Sequence, residues 1–139
     1  MLTYVLDASA YLRFLDREAG GAQVARILEE GLDETARVVM SAIQWGEIVK
    51  IITHRNGART VATVRQDLDD FGIEIIPADA ERAERAALLG LKYKISYADA
   101  FGAELAGDSP DHVLVTADYG VKPAEQDIKI EFLPIKPKQ

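Results

Sequence analysis

The chain has 139 residues, 48% of them hydrophobic and 28% charged, which predicts one globular domain and excludes an intrinsically disordered protein. Its net charge of −7 argues against nonspecific nucleic-acid binding through a broad basic surface. The absence of cysteine excludes disulfides, thiolate nucleophiles and cysteine-based zinc sites.

These features favour a cytoplasmic location. A chain without cysteine suits a reducing compartment. The first residues have no basic lead and reach an acid at Asp7, so we expect no secretory signal peptide. No apolar run approaches the length of a membrane span, so we expect no membrane association.

The first predicted strand ends at an acid. Residues 4–6 form an apolar run without alternation, which is typical of a strand buried on both faces. Asp7 follows directly, and Leu12 and Leu15 then have helical spacing. Asp7 is therefore predicted to lie at the carboxyl end of a central strand, where open α/β sheets bind ligands. Taken alone, Asp7 is better explained as a helix N-cap.

A second acid interrupts the apolar face of a helix. After a second predicted strand, Ser41 and Gln44 have the spacing of a capping box that opens this helix. Ile43, Glu47 and Ile51 are four residues apart, so Glu47 is predicted to share a face with two isoleucines. Burying an unpaired charge is costly, and the usual resolutions are pairing, metal coordination or protonation.

Two further acids occur in the second half of the chain. Asp99 is three residues after Ser96, in the predicted first turn of a helix, where a capping-box variant would also explain it. Asp118 follows the apolar strand pattern of residues 112–116 by two positions, as Asp7 follows the first strand. A turn before Gly120 is the alternative explanation for Asp118.

Strand patterns alternate with helical patterns along the whole chain. The predicted fold class is therefore α/β, a three-layer α/β/α sandwich with a mainly parallel central sheet. Because we find no linker or internal repeat, we expect a single domain over residues 1–139, with a loose tail at about 134–139. The strand patterns are residues 4–6, 37–40, 73–76, 112–116 and 128–132.

The four acids, Asp7, Glu47, Asp99 and Asp118, could all face one edge of the sheet. Carboxylates held close together repel, so they raise one another's pKa values or require a cation. A ligand set made only of oxygen favours Mg²⁺ or Mn²⁺. Such an ion can hold a phosphodiester oxygen, help to ionise an attacking water and stabilise the leaving oxygen. The pattern therefore predicts hydrolysis of a phosphate ester.

Four segments in this order resemble the acidic motifs of PIN-domain ribonucleases, and most closely those of the VapC-like toxins of toxin–antitoxin pairs. The segments are VLDASAYL, SAIQWGEIVK, ISYADAFGAELA and LVTADYG. The resemblance extends from residue 2 to about residue 133. One departure is Val121, which stands three positions after the last acid, where many relatives have an aromatic residue.

The resemblance implies a PIN-like α/β/α sandwich and an ion, Mg²⁺ or Mn²⁺, held chiefly by Asp7 and Asp99. It implies that Glu47 and Asp118 complete the acidic pocket. It also implies metal-dependent cleavage of RNA, a homodimer, and inhibition by a cognate antitoxin whose C-terminal segment covers the pocket.

Hydroxyl and basic side chains accompany the acids. Ser9 and Thr116 flank the predicted cluster, where each could orient a ligand water or only cap a helix or strand end. The window 50–65 has basic residues and no acid. Its side chains could lead an RNA backbone toward the acids, and a solvated helix face explains them equally well. The candidate RNA-binding residues are Lys50, His54, Arg55 and Arg59.

Three alternative functions remain open from the sequence. A phosphatase of the haloacid dehalogenase kind would use Asp7 as nucleophile, but it normally has a second Asp where this chain has Ser9, and it leaves Glu47 unexplained. A PIN-like module could instead bind RNA or a protein without cutting. A metal-free ribonuclease using His54 and His112 is supported only by the presence of two histidines.

Overall fold

The centre of the molecule is a five-stranded sheet in which every neighbouring pair of strands is parallel. The computed structural model describes residues 1–137. The strand order is β3-β2-β1-β4-β5, which confirms the predicted α/β fold class with a parallel sheet. The strands are Leu2–Leu6 (β1), Ala36–Ser41 (β2), Glu74–Ile76 (β3), His112–Thr116 (β4) and Lys129–Phe132 (β5).

Helices connect the strands and complete the three layers. Leu6 of β1 packs in one apolar cluster with Tyr11 and Leu28, whereas Val5, whose side chain alternates to the other face, packs with Leu105. The α-helices are Ala8–Leu15 (α1), Gly21–Leu32 (α2), Ala42–Arg55 (α3), Val61–Asp70 (α4), Ala80–Tyr93 (α5) and Tyr97–Ala106 (α6). A 3-10 helix, Tyr119–Gln126, follows β4 and is not predicted from the sequence.

The strand order places a topological switch point at the middle of the sheet. The chain passes from β1 to β2 and β3 on one side, and then continues on the other side of β1 with β4 and β5. The order therefore reverses between β1 and β4. In open parallel sheets, ligands bind outside the carboxyl ends of the strands at such a reversal.

The C-terminal segment after β5 lies against α1. Arg13 donates a hydrogen bond to the carbonyl oxygen of Pro134 at 2.8 Å, and the ammonium group of Lys136 lies 2.6 Å from the carboxylate of Glu18. The last two positions of the predicted tail, 138 and 139, lie outside the described residues. No helix within residues 1–137 is long and apolar enough to cross a membrane.

Candidate active site

A pocket of about 280 Å³ opens where β1 and β4 end. All four acids that were predicted to gather line this pocket. Each lies on a different element: Asp7 between β1 and α1, Glu47 on α3, Asp99 on α6 and Asp118 in the turn after β4.

Asp7 is almost completely buried and is held by three hydrogen bonds. Its Oδ1 accepts from the Ala10 amide at 2.9 Å and from the Ser9 hydroxyl at 2.7 Å, and its Oδ2 accepts from the Thr116 hydroxyl. Burial raises the pKa of Asp7, these hydrogen bonds lower it, and the charge of Asp118 raises it. Asp7 therefore caps α1, and it also lies at the carboxyl end of β1 and lines the pocket.

Asp99 is half-buried in the first turn of α6. Ser96 caps this helix, because its hydroxyl accepts a hydrogen bond from the Asp99 amide at 3.2 Å. The pKa of Asp99 is raised to about 6, chiefly by burial; the Ser96 side chain near its carboxyl lowers it, and the carboxylates of Asp118 and Asp7 raise it. The backbone of Asp99 thus completes the cap, while its carboxylate belongs to the acidic cluster.

Asp118 opens the 3-10 helix that follows β4. Its Oδ1 accepts a hydrogen bond from the Gly120 amide at 2.8 Å, so it also makes the turn contact that was its alternative explanation. Val121, the departure from the PIN pattern, is buried in the apolar cluster that contains Leu114. The hydroxyl of Tyr119 donates to the carbonyl oxygen of Leu133 at 2.8 Å. The loop after the last acid is therefore anchored at both of these residues.

The two predicted supporting hydroxyls connect Asp7 to this loop. Besides donating to Asp7, the Ser9 hydroxyl accepts from the Ala117 amide at 2.9 Å. The Thr116 hydroxyl, which also donates to Asp7, accepts from the Asp118 amide at 2.9 Å. Ser9 and Thr116 thereby fix the position of the loop that carries Asp118 relative to Asp7.

Gln44 also lines the pocket, although its spacing from Ser41 predicts a capping role. Ser41 does cap α3, through the Ile43 amide, but the predicted Ser41–Gln44 capping box is wrong. The Gln44 side chain points instead to residues of α1 and α6. The spacing in the sequence could have indicated this position. Gln44 lies four and eight residues before Ile48 and Ile52 and shares their buried face, so it is a polar residue on an apolar face, as Glu47 is on the adjacent face.

Comparison with known proteins identifies the family. The family model described as the PIN domain matches residues 4–124. The chain belongs to the PIN-domain family. Over 83 residues it is 31% identical to ribonuclease VapC42 of Mycobacterium tuberculosis and to VapC ribonuclease Mb2780c of Mycobacterium bovis. The alignment spans 60% of this chain and 60% of each of these relatives.

Solved structures share the fold of this PIN domain at low sequence identity. VapBC2 from Rickettsia felis, bound to a DNA fragment from its promoter, has a TM-score of 0.66 and 15% identity, over 96% of this chain and 100% of that chain. DNA-bound VapBC from Salmonella typhimurium has a TM-score of 0.60 and 18% identity, over 95% and 98% of the two chains. These likenesses establish the architecture of the domain.

The basic residues predicted to guide RNA are exposed, and none of the four lines the acidic pocket of the PIN domain. Arg55 makes two hydrogen bonds of 2.9 Å to the carboxylate of Asp16, and Arg59 donates to the carbonyl oxygen of Leu15 at 2.9 Å. Both arginines are therefore engaged with the end of α1. An RNA-binding role for Lys50, His54, Arg55 and Arg59 stays a prediction.

The donors around the pocket of the PIN domain suit a hard divalent ion. They are carboxylates, with hydroxyl and amide oxygens and no sulfur. Within residues 1–137, no three histidine, aspartate or glutamate side chains are close enough together to form a ready metal-binding group. Mg²⁺ commonly binds through one or two carboxylates and retains several waters. An open arrangement of acids therefore fits such an ion.

The raised pKa of Asp99 couples folding to pH in metal-free protein. The unfolded chain has an ordinary carboxyl pKa of about 4. Since the folded-state pKa is about 6, the folded protein binds the proton more tightly between these values, and its stability falls as pH rises through them. We expect Asp99→Asn to remove this part of the fall, measured by thermal unfolding in EDTA. Asp33→Asn, an exposed control, should follow the wild type; identical pH dependence in all three proteins would contradict the raised pKa.

Proposed function

We propose that this PIN domain is a Mg²⁺- or Mn²⁺-dependent endoribonuclease and the toxin of a toxin–antitoxin pair. The observation that carries the proposal is the single pocket lined by Asp7, Glu47, Asp99 and Asp118 at the reversal point of a parallel sheet. Two similar curated proteins are named as ribonucleases, which supports RNA as the substrate.

In this proposal, different side chains around the pocket have different roles in hydrolysis. In this reaction a water oxygen bonds to phosphorus and one P–O ester bond breaks. Ser9, Thr116 and the Ala10 amide favour the charged form of Asp7 and hold it in one orientation. Asp7 and Asp99 are the residues that would chiefly hold the divalent ion, with Asp118 beside them. When bound, the ion supplies Lewis-acid stabilisation of negative charge on the phosphate.

We propose that Glu47 accepts the proton of the attacking water. This residue is half-buried on a helix face that is otherwise apolar, and its pocket neighbours include Ile51. Its carboxylate therefore faces the space where water and phosphate would meet. The leaving oxygen takes a proton from solvent and Glu47 releases its proton to solvent, which balances the reaction.

Metal binding should stabilise the folded protein. The ion relieves repulsion among Asp7, Asp99 and Asp118, and the unfolded chain has no comparable site, so we expect a gain of about 1 to 3 kcal/mol at 10 to 100 times the dissociation constant. Thermal unfolding of EDTA-treated protein with added Mn²⁺ measures it. Asp99→Asn should lose most of the gain, whereas Asp33→Asn should keep it. An equal gain in Asp99→Asn would place the ion elsewhere.

We propose an antitoxin protein as the partner, and a homodimer as the assembly. The solved VapBC structures that share the fold support this proposal. A larger pocket of about 640 Å³, between α1, α2 and α4, has both aromatic and charged side chains in its lining and offers a place for a segment of the partner. It is lined in part by Tyr11, Phe14 and Phe71, and the buried Tyr11 hydroxyl has no hydrogen-bond partner among the described residues.

Purification from cells that also express the antitoxin tests the partner. We expect a complex that contains two copies of the chain and does not cleave RNA, and we expect cleavage to appear when the antitoxin is removed by limited proteolysis. A free monomer that cleaves RNA equally with and without the antitoxin would contradict both the partner and the dimer.

A further inference from the structure

One buried amide joins the two segments that carry Asp7 and Asp99. Gln44, in the first turn of α3, is only 3% exposed. Its Oε1 accepts a hydrogen bond from the Ala8 amide at 2.8 Å, and its Nε2 donates to the carbonyl oxygen of Ala98 at 2.6 Å. Ala8 directly follows Asp7, and Ala98 directly precedes Asp99. Gln44 thus spans the gap between the backbones next to these two acids.

The chemistry of the bridge requires an amide of this length. The Ala8 amide belongs to the first turn of α1, where N–H groups have no partner within the helix and need an acceptor. The Ala98 carbonyl oxygen, in the first turn of α6, has two lone pairs, so it can accept from Gln44 in addition to a bond within the helix. Among uncharged side chains, Asn and Gln present a carbonyl oxygen and an NH₂ group at the same end. A bridge between these two backbone groups also fixes their separation, because both hydrogen bonds are short and the Gln44 residue is buried.

The bridge acts against a force that the cluster itself creates. The carboxylates of Asp7, Asp99 and Asp118 line the same pocket, and like charges held close together repel one another. In the absence of a cation, this repulsion favours separation of the segments before α1 and at the start of α6. Gln44 holds the backbones of those two segments together from α3, and Ile48 and Ile52 anchor α3 in the core on the same face.

We propose that Gln44 is a positioning residue that sets the distance between Asp7 and Asp99 and thereby the affinity of the pocket for a divalent ion. This proposal rests on the proposed metal-dependent function. Residues that orient metal ligands typically contribute about 10- to 100-fold to metal affinity or activity. Gln44 itself contacts neither the ion nor the RNA in this account.

The test compares three substitutions in α3 for Mn²⁺ affinity, stability and cleavage. Gln44→Met keeps the length of the side chain and removes both hydrogen bonds. Gln44→Asn keeps an amide that is one methylene too short to span both partners. Ile48→Val is the control, because it weakens the same buried face without touching the bridge. Titration of metal-free protein with Mn²⁺ by calorimetry gives the affinity, and urea unfolding gives the stability.

We expect both Gln44 variants to bind Mn²⁺ about 10- to 100-fold more weakly than wild type. Their RNA cleavage should need correspondingly more Mn²⁺ and approach the wild-type rate at saturation. Ile48→Val should lose stability but keep wild-type Mn²⁺ affinity. This combination separates positioning from a general loss of stability, and Gln44→Asn decides the matter if Gln44→Met does not fold.

Wild-type Mn²⁺ affinity in a folded Gln44 variant would overturn the proposal, as would an equal loss of affinity in Ile48→Val at matched stability. Failure of the proposed function gives a different result. In that case the wild type itself would neither bind Mn²⁺ nor cleave RNA, and the positioning role would fall with it.

Discussion

Asp99→Asn is expected to lower RNA cleavage by at least about 100-fold, the order of loss seen when one transition-state-stabilising group is removed from an active site. Asparagine has nearly the shape of aspartate but carries no charge to hold a divalent ion. The fold should survive, because the cap of α6 uses the Asp99 amide and the Ser96 hydroxyl rather than the Asp99 carboxylate. Loss of repulsion from Asp118 and Asp7 should leave metal-free stability equal or higher.

Single-turnover cleavage of a fixed RNA, with circular dichroism of the same preparation, measures this effect. The matched control is Asp33→Asn, an exposed aspartate after α2 that should retain full activity. Wild-type cleavage by folded Asp99→Asn would remove Asp99 from the site. A comparable loss of cleavage in Asp33→Asn would show that the assay responds to the overall charge of the protein rather than to the acids of the pocket.

Arg82→Ala is expected to cause the largest loss of stability, about 2 to 4 kcal/mol, because it removes a partner of a buried carboxylate. The side chain of Glu104, on α6, is only 1% exposed. Arg82 of α5 donates to both of its oxygens, at 2.8 and 3.0 Å, and also binds Asp108. Without Arg82, Arg85 is the one partner of Glu104 that remains among residues 1–137, at 2.9 Å. Because this pair remains, the loss of stability should be smaller than for a buried carboxylate with no partner.

Arg37→Ala is the control for Arg82→Ala, since Arg37 pairs with Glu74 on the surface and both side chains are about half exposed. Exposed pairs contribute at most about 1 kcal/mol. Urea unfolding of both variants measures the difference. Equal stability of the two variants would show that the ion pairs of Arg82 do not hold α5 and α6 together.

The acids that follow strands could be located from the sequence because their positions depend on local signals. Parallel strands end at a common edge, so an acid directly after residues 4–6 and another after residues 112–116 must approach each other once both strands are central. Asp99 could be placed by its distance from Ser96. The alternation of strand and helix patterns was likewise sufficient to predict the parallel α/β sheet.

The contacts that support the pocket depend on long-range orientation, which local patterns do not contain. Gln44 and Ala98 are 54 residues apart, and the buried Glu104 finds Arg82 on a different helix 22 residues earlier. The basic window shows the same limit. A count of charges cannot reveal that Arg55 is held by Asp16 at the end of α1.

Cleavage of a mixed pool of tRNA and ribosomal RNA by the wild-type protein, freed of antitoxin, tests the central claim most directly. Parallel reactions contain Mn²⁺, Mg²⁺ or EDTA. We predict discrete products with either ion and none in EDTA, because the four carboxylates of the pocket need a cation to act on a phosphodiester. Cleavage that persists in EDTA would contradict a metal-dependent site built from Asp7, Glu47, Asp99 and Asp118.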